Sequence, residues 1–291
     1  VFGGCTSLVS YTVPSCVTKI NAYEFQNCTS LVSVTLPETI TEIGNYAFDG
    51  CTSLSSINIP NGVTKLGEYS FDECKSLTTI TLPESITTLG RGVFYGCTAL
   101  ESADLSACTL TILPNSSVGE MNGIFQGCSN LKEVKMPKGG VTLLSGTFKD
   151  CTALTGVVLP EGVKTVGHSC FLNCTALQSV TLPEGLETIG YQAFRGCKAL
   201  DNVVLPSTIT VLDKEVFRYC SSLSSITIPG GVTRIDDMTF AECTSLSSVS
   251  VPSGVTYLGN YAFEDCPMAS FTAPAELNTI DGHTFDGCTN F

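Results

Sequence analysis

The chain has no tryptophan, only 2 histidines and only 14 lysines and arginines, against 27 aspartates and glutamates. A net charge of −13 speaks against nucleic acid, whose phosphates demand clustered Lys and Arg. It also speaks against an anionic membrane surface. No apolar run approaches the roughly 18 residues of a spanning helix, so direct membrane insertion is not expected. There is no Gly-x-Ser-x-Gly elbow, Walker loop or His-Glu-x-x-His helix. No Cys-x-x-Cys pair with histidine is present to bind zinc. Gly90-x-Gly92 runs into Phe94 without a third glycine and is no dinucleotide loop. No carboxylate pairs with His168 or His283 at a suggestive spacing, and both histidines read as solvated turn residues. These absences predict no enzyme, no catalytic, metal or cofactor-binding residue, and no cofactor.

What the chain does have is a period. Phenylalanine stands at 2, 25, 48, 71, 94, 125, 148, 171, 194, 217, 240, 263 and 285. The interval is 23 residues except for one of 31 (94 to 125) and one of 22 (263 to 285). Most of them open the phrase Phe-x-x-Cys-x-x-Leu-x-x-(Ile/Val)-x-(Ile/Leu)-Pro. A fixed period of this length predicts a solenoid whose units pack only on their neighbours. The whole of 1–291 is expected to form a single domain, with an irregular unit at 94–124, because no linker composition interrupts the rhythm. The chain opens and closes inside a repeat, so both ends are expected to be truncations within repeats.

One unit shows the local logic. Ser56-Ile57-Asn58-Ile59 alternates with period two and predicts a short strand, terminated by Pro60. Val63 and Leu66, three apart, suit a tight turn or 3₁₀ segment. Phe71 and Cys74 at i,i+3 suit one helical turn. Stacking twelve such strands at ~4.8 Å predicts a parallel sheet, with turns, 3₁₀ or short helical segments elsewhere. The fold class is therefore an α/β solenoid, and the expected shape is an arc.

The phrase Ala47-Phe48-Asp49-Gly50-Cys51-Thr52-Ser53-Leu54-Ser55-Ser56-Ile57-Asn58-Ile59-Pro60 resembles the BspA-like (Treponema pallidum-type) class of the leucine-rich repeat superfamily, and the likeness covers essentially the whole chain. One departure is the missing ladder of Asn or Cys after the strand, where Gly62, Gly162, Gly185, Gly231 and Gly254 stand instead. The resemblance implies a leucine-rich repeat arc with its sheet on the concave face. It implies a secreted or cell-surface protein, often bacterial, with adhesion to host or matrix proteins in some members and no shared enzymatic activity. The expected role is thus a non-enzymatic, adhesion-type interaction module that meets a protein or glycan through the concave face. The alternative is a structural stalk that presents another domain.

Thirteen of the 16 cysteines follow Phe at the fixed offset. Neighbours ~4.8 Å apart with parallel Cα–Cβ vectors do not suit a disulfide, so a buried column of free thiols is expected. Cys16, Cys108 and Cys170 lie off that column and are the candidates for oxidation. Asn27, Asn115 and Asn173 fit the N-glycosylation sequon, two of them as by-products of the phrase Asn-Cys-Thr. The outward strand positions are mostly Ser and Thr and lack the large anchors of binding hot spots. The candidate binding patch is where the rhythm breaks: Glu101 and Asp104 on one strand, Lys132, Glu133 and Lys135 on the next, with Asn115 in an expected protruding loop at 115–122. The competing reading is a tolerated insertion flanked by mutually compensating charges.

Overall fold

The computed structural model describes residues 1–110, 112–113, 123–138, 142–143 and 145–290. The expected loop at 115–122, with Asn115, lies outside them. The chain divides into two compact units, Val1–Val141 with Gly146–Leu154, and Thr142–Ser145 with Thr155–Phe291. Both are coiled β-solenoids in which, among the described residues, every strand pair is parallel.

Each coil has three sides. The first carries a three-residue strand whose central residue points inward. In the first unit these strands are Ser10–Thr12, Ser33–Thr35, Thr79–Thr81, Ser102–Asp104 and Glu133–Lys135. In the second they are Gly156–Val158, Ser179–Thr181, Ser225–Thr227 and Ser248–Ser250. The register sets each residue opposite its counterpart one period on, Thr79 facing Ser102 and Ser225 facing Ser248. Across the long unit Ser102 faces Glu133, so the register there steps by 31 residues instead of 23.

The second side corrects the expected 3₁₀ turn. Lys65–Leu66 is a two-residue strand, paired with Glu42–Ile43 and Thr88–Leu89. A second parallel ladder thus runs beside the first, with Lys19–Ile20 also in it. The second unit has its own: Thr165–Val166, Thr188–Ile189 and Val211–Leu212, then Arg234–Ile235, Tyr257–Leu258 and Thr279–Ile280.

The third side corrects the fold class. Among the described residues there is no helix, so the α/β label and the short helical segment around Phe-x-x-Cys do not hold. The reason is conformational. The residues two before and two after Phe are left-handed in coil after coil: Tyr46 (φ 56°) and Gly50 (φ 70°) around Phe48, Glu215 (φ 57°) and Tyr219 (φ 64°) around Phe217. A left-handed residue costs ~1–2 kcal/mol outside glycine and cannot continue a right-handed helix. What offsets the cost is hydrogen bonding. The N–H groups of Tyr23, Phe25 and Asn27 donate along the stack to the carbonyls of Asn45, Ala47 and Asp49 at 3.0, 2.8 and 2.7 Å. The N–H groups between them turn back to local carbonyls, Glu24 to Asn21 (3.3 Å) and Gln26 to Tyr23 (3.4 Å). Alternating handedness therefore satisfies every backbone donor here.

Inside, the column phenylalanines from Phe25 to Phe263 are fully buried and stack nearly parallel. Centroid separations are 5.1 Å for Phe25–Phe48, 5.2 Å for Phe48–Phe71, and 5.1 and 5.6 Å for Phe194 with Phe171 and Phe217. Coils approach closely where Gly90 stands, since a Cβ there would lie 2.3 Å from the Glu68 backbone nitrogen. The column before Phe is filled by Ala47, Ala193 and Ala262 but also by Ser70, whose buried hydroxyl has no hydrogen-bond partner. Ser70→Ala is expected to raise stability by about 1 kcal/mol, read as a higher urea midpoint, because an unsatisfied buried hydroxyl is removed. A lower midpoint would show that the hydroxyl is bonded after all.

The expected single sheet of about twelve strands is also corrected. Nine three-residue strands form among the described residues, in four separate ladders. Ser56 keeps one bridge to Ser33, and 201–206 and 269–274 carry no strand. The first two lapses hold Asn58 and Asn202, and asparagine is depleted in strands. None of the nine strands contains one. The third follows Pro267 in the shortened repeat.

Candidate functional site

Two regions of the first-strand face compete. The first is the charged patch. Parallel register sets Lys135 beside Asp104, and they pair at 3.2 Å. Lys132 pairs with Glu101 at 3.0 Å, both more than half exposed. Asp104 also accepts hydrogen bonds from the Ser106 hydroxyl (2.6 Å) and N–H (3.0 Å). These bonds, with Lys135, hold its carboxyl below the usual range. Glu133 is exposed opposite Ser102 and forms no ion pair among the described residues. The structure therefore brings five of the six candidates together, but four of them as two mutually neutralised pairs. Exposed pairs of this kind contribute ~0–1 kcal/mol.

The second region was only partly legible. Over the outward positions of the second unit lie depressions of about 490, 630 and 500 Å³. The first two share Asn202 and Val204, and the last two share Ser248 and Ser250, so they form one open trough. No aromatic side chain lines it. Val204 is 75% exposed in its floor, and Val158, two coils earlier in the same column, is 66% exposed. Glu184 and Asp201 stand on its wall.

The cysteine column has a role beyond filling space. Along the column thiols donate to the carbonyl of the phenylalanine one coil earlier, as Cys51 does to Phe25 at 3.0 Å and Cys220 to Phe194 at 3.2 Å. Burial pushes the Cys51 thiol up to about 12, and those of Cys74 and Cys97 well above their ordinary value. Thiols this costly to ionise are poor nucleophiles. Of the three off-column cysteines, Cys16 is exposed, whereas Cys108 and Cys170 are buried. Cys108 donates to the Pro83 carbonyl at 3.4 Å. Oxidation by solvent reagents is thus open to Cys16 and closed to the other two.

Sequence reasoning missed a polar knot in the second unit. Glu215 receives Tyr191 Oη at 3.0 Å and Gln192 Nε2 at 3.2 Å, and pairs with Arg195 (3.2 Å) and Arg218 (3.4 Å). Burial pulls its pKa up, but the hydrogen bonds and Arg195 outweigh it, leaving it lowered. The only signal was column position one period apart. His283 pairs with Asp286 at 2.6 Å and stacks on Tyr261, while His168 meets the edge of Tyr191. Among the described residues no His, Cys, Asp and Glu group has metal-binding geometry. No described helix is long and apolar enough to cross a membrane.

A family model described as BspA type leucine-rich repeat region matches in 6 copies over residues 1–124, 111–224 and 164–291. Among solved structures, a leucine-rich repeat protein from Bacteroides ovatus is similar at 26% identity and a TM-score of 0.60, over 98% of this chain and 84% of its own. One from Eubacterium ventriosum shares 22% identity at a TM-score of 0.53, over 96% and 82%. The T. pallidum leucine-rich repeat protein is 35% identical over 53% of this chain and 68% of its own, with a TM-score of 0.47. No curated protein matches the chain.

Proposed function

The chain belongs to the BspA-type leucine-rich repeat family, and from that premise we propose that it is a non-enzymatic, adhesion-type interaction module. It belongs to an extracellular or cell-surface protein and meets a protein partner through the first-strand face, the concave side in the leucine-rich repeat arc. The supporting observation is the form of the surface. Exposed strand residues repeat at a fixed register over a buried phenylalanine column, and the depressions above them are open troughs. Such a surface suits contact at many points with a macromolecule better than enclosure of a small substrate. A glycan is the less favoured ligand, because the trough lacks the aromatic faces on which sugars stack. One observation favours a stalk instead: the charged patch satisfies itself, Lys132 with Glu101 and Lys135 with Asp104.

The test presents the chain to a panel of purified extracellular matrix proteins and glycans and measures affinity by biolayer interferometry. The double variant Asp104→Lys with Lys135→Asp keeps a pair of opposite charges in register, so folding is expected to persist. Affinity for a protein that binds should fall by about 1 kcal/mol or more if the patch touches it. Unchanged affinity removes the patch from the interface. Failure to bind any protein in the panel favours the stalk.

A further inference from the structure

We propose that the trough of the second unit, centred on Val204, is the docking surface for an extended cationic polypeptide that sets a small apolar side chain against Val204. This rests on the reading of the first-strand face as a protein-binding surface and gives the partner its chemistry.

The ladder lapses within the trough, at 201–206. In the coils before and after, the residue following the strand donates its N–H to the next coil, Leu159 to Thr181 at 3.0 Å and Ile228 to Ser250 at 2.9 Å, although Leu36 and Ile59 at the first unit's lapse do not. No such bond is formed by Leu182 or Leu205, and both line the depressions. The backbone of 203–205 joins no strand. Asn202 and Val204 project from this uncommitted segment and line the trough. Val204 adds an apolar contact that solvent does not reward, and the hydroxyls of Thr181 and Thr227 on either side add adaptable polar ones.

The sign of the partner follows from the carboxylates. Glu184 and Asp201 on the wall form no ion pair among the described residues, unlike Glu101 and Asp104 in the other region. The trough is lined by no lysine or arginine. With a chain charge of −13, the local and the long-range fields both select a basic segment.

The probe is an octapeptide of alternating Val and Lys, titrated into the full chain by fluorescence anisotropy in about 20 mM and about 150 mM salt. Binding is expected at low salt and weakened at high salt. Val204→Lys, at an exposed site, should weaken it at least tenfold. Glu184→Gln with Asp201→Asn should weaken it at least fivefold. Glu38→Gln with Glu84→Gln, which removes the same charge from the other unit, should change it less than twofold. Equal losses in the two double variants would reduce the effect to unspecific attraction and overturn the proposal. So would unchanged affinity in Val204→Lys, or tighter binding of a neutral oligosaccharide such as maltoheptaose. If the matrix panel still yields a protein partner while Val204→Lys binds the octapeptide unchanged, only the trough falls. If neither ligand binds, the interaction reading falls with it.

Discussion

Phe194→Ala lowers stability by about 3–5 kcal/mol, the largest effect expected from any single substitution on this chain. The ring is fully buried and sits between Phe171 and Phe217 at 5.1 and 5.6 Å, within 5° of parallel to both. Truncation removes apolar surface and two stacked contacts, each worth ~0.5–1.5 kcal/mol beyond burial. It also leaves a cavity that cannot readily collapse. The Phe194 backbone is pinned on both sides, its N–H to the Val216 carbonyl at 2.9 Å and its carbonyl to the Cys220 thiol at 3.2 Å. The coil is therefore held at its spacing whatever the side chain, which places the cost at the upper part of the range. Urea unfolding followed by circular dichroism measures it. Val204→Ala, at an exposed position, is the control and should stay within ~0.5 kcal/mol. A loss below about 1.5 kcal/mol for Phe194→Ala would mean that neighbouring coils close over the gap and that the column is not a rigid spine.

The phenylalanine, cysteine and leucine columns were legible because a buried column in a solenoid is a sequence period, and a period survives any uncertainty about local conformation. The inward-facing middle of each first strand was legible for the same reason, since Val180 and Ile226 alternate with Ser and Thr. The left-handed residues were not. At the two positions flanking Phe the chain uses Tyr, Asn, Glu, Asp, Met, Gln, Ser and His as well as Gly, so no glycine signature marks them. Their conformation is imposed by inter-coil hydrogen bonds that no single repeat contains. The second ladder escaped because strands of two residues, such as Lys65–Leu66, are too short to alternate. The candidate site was half legible. The charges at 101, 104, 132 and 135 stood out, but only the register shows that they neutralise one another. Val158 and Val204 could be placed on the outward columns from the period alone. Their exposure, and the lapse of the ladder beside Val204, could not.

The first unit becomes less stable as pH rises through neutrality, and Asp72 is the cause. It stands in the column after Phe, where Asp49 precedes it by one coil and Glu73 follows in the chain. Burial pushes its carboxyl up to about 7, with Asp49 and Glu73 adding repulsion, and Oδ1 has no hydrogen-bond partner. Other groups around the cluster are committed elsewhere: Gln26 donates to Asp49 at 2.9 Å and Lys75 pairs with Glu73 at 2.5 Å. Unfolding returns Asp72 to its ordinary value near 3.8. The folded state therefore holds the proton that the unfolded state has lost between about pH 4 and pH 7. Stability from this group is complete below that window and is lost as pH rises through about 7. The carboxyl is only partly buried, so the full linkage value is reduced by solvent screening to about 1–2 kcal/mol between pH 5 and pH 8. Asp72→Asn keeps the shape without the charge and should flatten this dependence, making the variant the more stable protein at pH 8. The thiols of Cys51 and Cys74 titrate above the window, and both histidines lie in the second unit, so neither produces the same slope. Urea midpoints at pH 5 and pH 8 for the two proteins decide it. If the variant loses as much stability as the parent, the titrating group is not Asp72, and Asp49, also raised by burial, is the next to replace.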